Sequence, residues 1–489
     1  MKHQNSFKHA LVLIVCLLYL VGSSFALQQG DKIPITTNSK KALDYFLKGR
    51  DLSERLQAQE SLQYFEKAVV EDPNFAMAYL FSSLAQPTVK GFFEQLNKAV
   101  TLVDKVSEGE RLWILGIQAG VNGLPMKQRE YYQKLVAANP NDERAHNLLG
   151  INYFGQQEWE KAIESYNKAI QINPDFSQPY NQLGYAYRFL GDYANAEKAF
   201  QKYIELIPND PNPHDSYAEL LMKMGKFEKS IEHYNKALAI NPNFVASHIG
   251  IATDLNFLGK HGEARKQLQK LYEMARNDGE RRAAYFSMAV SYVDEGNLEQ
   301  AFAEIEKGYA LAEKINDAAA MAGDLNIKGN ILLEAGKPDK SMALFEKSVK
   351  LIQGSTLSQE VKDNFSRGFL YNSARVAIKQ KDLETAKAKS EKFYEAVKAV
   401  NNPLQMMLYH ELLGTIALAD NDNDKAVAEL NQANLQNPYN LFRLAIAYTG
   451  KGDAMNAKIF CKKAAKFNVL NSLNQGFIRS KAEEMLAKI

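Results

Sequence analysis

The chain has 489 residues, 46% hydrophobic, 10% aromatic and 24% charged, with 59 basic against 57 acidic side chains. That apolar content excludes a disordered chain, and two cysteines exclude a disulfide scaffold. A net charge of +2 gives no general attraction to nucleic acid or to an anionic membrane. Length alone predicts about three ordinary domains. The unusual count is 24 Tyr and 25 Phe against two Trp.

The first segment reads as an address. Lys2 and Lys8 lie in an N-terminal stretch without acids, Ala10 to Val21 is an unbroken apolar run, and Ser24 and Ala26 are the small residues of a cleavage site. This layout predicts a secretory signal over 1–26, cleaved after Ala26. The apolar run spans about 18 Å, short of the ~30 Å hydrocarbon core, so no stable membrane span is expected after cleavage. Cys16 does not make a lipoprotein site, because Val15 precedes it and the apolar run continues past it. Loss of Lys2 and Lys8 leaves 57 basic against 57 acidic residues, and Cys461 is then the only thiol. The expected location is secreted, in the periplasm. Residues 27–41 read as a polar linker.

From there on one unit is written many times. Pro140, Pro174, Pro208 and Pro242 are each 34 residues apart. In the frame starting at Glu143 the eighth residue is Gly150, the eleventh Tyr153, the twentieth Ala162, the twenty-fourth Tyr166 and the twenty-seventh Ala169. The frame from Ser177 gives Gly184, Tyr187, Ala196, Phe200 and Tyr203, and that from Pro211 gives Ala218, Leu221, Ser230, Tyr234 and Ala237. Apolar spacings of three and four predict two amphipathic helices per frame. Gly191, Gly225 and Gly259 are expected to supply left-handed caps between them, and Asp210-Pro211 an N-cap with proline at the first helical position.

These frames resemble the tetratricopeptide repeat family, whose small residues stand at positions eight, twenty and twenty-seven; Tyr203 is the one clear departure in these three copies. Copies start near Ala42, Ala76, Gly109, Glu143, Ser177, Pro211, Val245, Arg282, Ala322, Arg367, Met407 and Pro438. The Ala76 copy is broken at Gln86-Pro87. The resemblance implies an all-α, right-handed α-solenoid of about twelve helix-turn-helix units. A ~34-residue period is expected over 42–278, a mostly ~40-residue period over 279–471, and a capping helix over 472–489, with a soft joint near Asn277 to Arg282.

The repeat absorbs most residues that chemistry would recruit. His146, His214, His248 and His410 all stand at position four, where Tyr45, Tyr79 and Tyr180 stand in other copies, so they are expected to pack as rings and not to ligate metal. His410-Glu411 opens like a zinc-peptidase motif but meets Gly414 where the second His should be. Cys461 falls at position twenty-four, a packing site. No catalytic residue, metal or cofactor is expected.

In the family, positions two, five, nine, twelve and thirteen line the concave surface. They give Asn147, Asn181, Tyr185, Arg188, Asp215, Glu219, Lys223 and Asn256, then Asn326, Asn330, Tyr371, Arg375 and Lys379. Asn amides both donate to and accept from a peptide backbone, and Tyr adds contact area with a polar tip. The expected function is a non-enzymatic scaffold of the bacterial cell envelope holding a protein or peptide partner along this groove. The family's clamp for a chain-terminal carboxylate is not reproduced, since Asn147 and Ile151 stand where Lys and Asn are wanted. A second expectation is a sensory or regulatory module acting through a separate signalling partner.

Overall fold

A computed structural model describes residues 32–489, so the signal expected over 1–26 lies outside the described residues. The described residues form 25 α-helices and one short 3-10 turn, with no strand among them. No helix among them is long and apolar enough to cross a membrane. The helices pair into twelve hairpins followed by a last helix, Leu473–Leu486, in an all-α solenoid of helix-turn-helix units.

One contact recurs in five of the twelve hairpins. Gly49, Gly116, Gly150, Gly184 and Gly329 each lie under the ring found sixteen residues later, of Phe65, Tyr132, Tyr166, Phe200 and Phe345. A methyl group on any of them would fall closer than 3.0 Å to that ring. Position eight is small because position twenty-four is large, and the two helix backbones meet through that pairing. Gly414 repeats the arrangement with Leu430. The turns between paired helices use a left-handed residue, glycine at Gly123, Gly191, Gly225, Gly259, Gly296, Gly336 and Gly452. Leu56, Gln157, Lys381 and Asn421 take that conformation without glycine's freedom. The second hairpin is the exception: its first helix, Ala76–Ala85, stops at Gln86, which Pro87 drives into an extended conformation.

Helices of the first seven hairpins have 10 to 15 residues, whereas those between Asp278 and Val400 have 16 to 21. The long first helices start earlier than the frame places them, at Asp278, Ala318, Gln359 and Pro403. The extra residues extend the N-terminal end of each helix, while the position-eight contact keeps its place. Asp210 caps the helix Pro211–Lys223 by accepting from Asn212 N, with Pro211 in the first turn, as the sequence predicts.

The solenoid winds tightly enough for its turns to touch. Inter-helix turns early in the chain meet the linkers that open hairpins seven or eight copies later. Asn277 Nδ2 donates to Gln59 Oε1 at 2.9 Å, and Arg276 pairs with Glu60 at 2.8 Å. Lys90 N donates to Asp317 Oδ2 at 2.9 Å, Asn402 Nδ2 to the Gly123 carbonyl at 3.1 Å, and Gln157 Nε2 to Asn434 Oδ1 at 3.0 Å. The stretch expected as a soft joint is therefore held against the first two hairpins. Gly279 there packs so closely on the Pro87 carbonyl that no side chain fits.

The chain end turns back into the structure. Lys223 Nζ donates to the Phe467 carbonyl at 2.6 Å, and Leu470 packs with Met222, Phe227 and Phe257. In Leu473–Leu486, Phe477 and Ile478 share a core with Ala289, Val293 and Ile331 as well as with Leu441 and Cys461. Arg479 joins this helix to the middle of the chain, donating to Asp294 Oδ2 at 2.9 Å and to the Asn256 carbonyl at 3.1 Å. The last helix thus bridges the eighth, ninth and twelfth hairpins as well as covering the end of the stack.

Two stability experiments follow from these contacts. Gly184→Ala places a methyl 2.5 Å from the buried Phe200 ring, so chemical denaturation should show a loss of about 1–3 kcal/mol, although alanine favours helix. A neutral or stabilising result would refute the glycine–ring constraint. Arg479→Ala leaves buried Asp294 with only His261 beside it and should destabilise by roughly 3 kcal/mol. Adding Asp294→Asn should recover part of that loss in a double-mutant cycle.

Candidate functional site

The first helices of successive hairpins line the inner face of the solenoid, and the sequence-predicted residues sit on them. Their polar groups mostly turn sideways to the next hairpin. Asn147 Nδ2 donates to Gln178 Oε1 at 2.8 Å, and Asn181 Nδ2 approaches Asn212 Oδ1 at 3.5 Å. Tyr185 Oη donates to Glu219 Oε1 at 3.0 Å, and Arg188 Nη1 to Glu219 Oε2 at 3.0 Å. Ser247 Oγ donates to Asp215 Oδ1 at 2.7 Å, and Ser291 Oγ to Asn256 Oδ1 at 2.8 Å. Farther on, Arg375 Nη1 donates to Asn330 Oδ1 at 2.7 Å and Tyr371 Oη to Glu411 Oε1 at 2.7 Å, while Asn326 is half-buried.

Asn147, Asn181, Arg188, Asp215 and Asn256 are buried, not open to solvent as a groove-lining face would be. The inner face of a tightly curved solenoid brings consecutive first helices together, so positions two, five and nine meet the next helix.

The central electrostatics follow from that enclosure. Burial and the neighbouring Glu219 push the Asp215 carboxyl up to about 8. Burial also pushes Asp254 up to about 8 against the pull of the nearby Ser230 hydroxyl. That hydroxyl donates to the Ala218 carbonyl and leaves neither Asp254 oxygen with a hydrogen bond of normal geometry. Lys223 moves the other way, to about 8, through burial and the Arg188 guanidinium. Its ammonium lies 3.8 Å from the centre of the Phe467 ring.

In the last third of the chain the polar groups converge on Glu411. It accepts from Tyr371, from Arg443 Nη1 at 2.9 Å, from Asn440 Nδ2 at 3.0 Å and from Asn437 Nδ2 at 3.3 Å. Burial raises its proton affinity, but Arg443, Tyr371, Arg375 and Asn440 outweigh that and hold it below the usual carboxylate range. Above it lies a cavity of about 320 Å³, walled by the ninth to twelfth first helices and by Asn474 and Phe477 of the last helix. Glu411 and Tyr439 were legible as positions five and two of their copies; the closure by Asn474 and Phe477 had no sequence signal.

At the other end, the inner face holds a second cavity of about 190 Å³, lined by Phe81, Trp113, Ile117, Tyr132, Leu148 and Ile151 among others. Leu84 and Ile151 are exposed at it. Arg144 crosses from the fourth hairpin to the first, binding both oxygens of Glu54 at 2.6 and 3.0 Å. Asn147 also lines the cavity, and its buried Oδ1 has no donor. An apolar floor with one unused acceptor suits a bulky side chain next to an N–H group.

The position-four rings behave as packing residues with a polar tip. His146 Nε2, His248 Nε2 and Tyr180 Oη each bond the proline carbonyl six residues earlier, at 2.9, 2.9 and 3.2 Å. His410 Nδ1 bonds Glu429 at 2.8 Å while Glu411 serves the cluster above, so the pair does not form a common site. Cys461 is buried, donates to the Ala482 carbonyl at 3.0 Å, and has its thiol pushed up by burial. No group of three or more metal-ligating side chains occurs among the described residues.

Comparison with known proteins adds family models to this geometry. A model described as TPR repeat matches residues 152–188, and two described as tetratricopeptide repeat match 177–210 and 218–244. Among solved structures, a tetratricopeptide repeat protein from Parabacteroides merdae is 16% identical, with 59% of this chain and 100% of that chain covered at a TM-score of 0.36. YrrB, titled a TPR protein with an unusual peptide-binding site, is 19% identical over 37% of this chain and 91% of its own, at a TM-score of 0.25. No curated protein matches the chain.

The unpartnered Asp254 sets a pH dependence. Its folded pKa of about 8 lies above the usual 3.8, so its contribution to stability is intact below pH 3.8 and is lost as pH rises towards 8. The slope is ~1.4 kcal/mol per pH unit. Asp254→Asn should therefore raise the melting temperature, by more at pH 8 than at pH 5 and with no further gain above pH 8. An equal gain at both pH values would contradict a neutral buried carboxyl.

Proposed function

We propose that this tetratricopeptide-repeat protein is a non-enzymatic binding scaffold that holds a protein or peptide segment on the inner face of its first five hairpins. The observation that carries the reading is the cavity under Leu84 and Ile151, with the unused acceptor of Asn147. A cavity of this size accepts one aromatic or branched aliphatic side chain. Repeats of this family support the general reading, because they bind protein or peptide partners. The residues first expected to line the groove, Asn147 included, are engaged between hairpins, so on this reading they shape the surface and the exposed Leu84 and Ile151 touch the partner.

The signal expected over 1–26 adds export to the proposal, with the periplasm as the working location. Neutral net charge of the exported chain fits a partner recognised by shape and apolar contact, with steering by charge playing a small role.

Peptide display against residues 27–489 tests the reading. Selected peptides should share one bulky apolar residue, and Leu84→Glu combined with Ile151→Glu should weaken their binding by about tenfold or more while leaving the helical circular-dichroism melt in place. Peptides that bind the double variant as well as the parent, or a display that yields no binder, would sink the proposal.

A further inference from the structure

The cavity of about 320 Å³ beside Glu411 differs from the first in being polar and charged. Its walls carry Asn330, Asn372, Asn437 and Asn474, the guanidinium groups of Arg375 and Arg443, the carboxylates of Glu334 and Glu411, and the rings of Tyr371 and Phe477. Its volume lies at the lower end of the range for small-molecule sites.

The charges in it do not balance. Arg443 neutralises Glu411 at 2.9 Å, and Lys481 of the last helix neutralises Glu334 at 2.9 Å. Arg375 is a third cation against these two carboxylates; it acts on Glu411 from a distance but has no carboxylate oxygen within 4.0 Å. Its Nη1 donates only to the neutral amide oxygens of Asn330 at 2.7 Å and Asn372 at 3.1 Å. Among the described residues, every arginine except Arg367 and Arg375 has a carboxylate oxygen within 4.0 Å. Arg367 is fixed outside this cavity by Gln405 and Asn364. A guanidinium facing a sheltered polar space without an anion is costly unless an anion arrives, and its fork matches a carboxylate.

The geometry points to this cavity as a binding site for a small carboxylate-bearing molecule of amino-acid size, held by Arg375. The carboxylate takes the free donors of Arg375, the amides of Asn330 and Asn372 offer further hydrogen bonds, and Tyr371 and Phe477 cover an apolar part. The last helix makes the ligand a free molecule and not a passing chain, because Asn474 and Phe477 wall the cavity where a chain along the inner face would continue. This site is separate from the one in the first five hairpins and stands without it. Because Asn474, Phe477 and Lys481 all come from Leu473–Leu486, an occupied cavity would also hold that helix in place.

Calorimetric titration of residues 27–489 tests the assignment with N-acetyl-L-phenylalanine, N-acetyl-L-alanine and acetate as acids. N-acetyl-L-phenylalaninamide serves as the uncharged control, and a hexapeptide ending in a free Phe as the chain terminus. At least one acid should bind at millimolar concentration, and the amide at least about tenfold more weakly. Arg375→Gln should abolish acid binding and Arg375→Lys should restore part of it, which separates charge from packing. The comparison of acid with amide on the unaltered protein needs no variant to fold. No binding by any acid, equal binding by the amide, or unchanged affinity in Arg375→Gln would overturn the proposal. A hexapeptide that binds as tightly as the free acid would overturn the assignment to a small molecule.

Discussion

The structure depends on a small residue at position eight that lets the paired helices approach. In five of the twelve hairpins it is a glycine, and a Phe or Tyr sixteen residues later lies over its backbone. The contact sets how closely the two helices approach, which sets how the next hairpin stacks. Dense packing leaves little room to adjust, so a small angular offset per copy accumulates in one direction. That pairing uses five of the chain's Tyr and Phe side chains.

Accumulated curvature has two consequences. The outer edges of successive turns come into contact, so residues such as Gln59 and Asn277 meet across more than two hundred positions of sequence. On the inside, consecutive first helices crowd together, and polar residues that would face solvent on an isolated hairpin satisfy one another. Burying such groups is tolerable only when they are hydrogen-bonded, and most of them are. Those that are not include Asn147 Oδ1, Asn181 Oδ1, Arg188 Nε and the Asp254 carboxyl, while Arg375 is hydrogen-bonded but has no carboxylate beside it.

The chain end divides that inner face. Leu473–Leu486 fills the curve of the last hairpins and ties it to the middle of the chain through Arg479, Lys223 and Leu470. The first five hairpins stay free of it and keep an apolar cavity of about 190 Å³, and beside it lies a polar cavity of about 320 Å³. A solenoid of one repeated unit thereby acquires two chemically different recesses.

The sequence by itself determined the unit, its count and its packing logic, because Gly184 and Phe200, or Asp210 and Pro211, act within a few turns of helix and local spacing records local contacts. It also put the candidate residues on one face of the first helices, Asn181 and Tyr371 included. Tertiary structure alone decided which of them are enclosed, since that depends on curvature summed over many copies. The same holds for the pairing of Glu411 with Arg443, the pinning of Asn277 against Gln59, and the return of Phe477 to Val293. Those contacts join residues whose separation carries no period, and only the closed path of the whole chain brings them together.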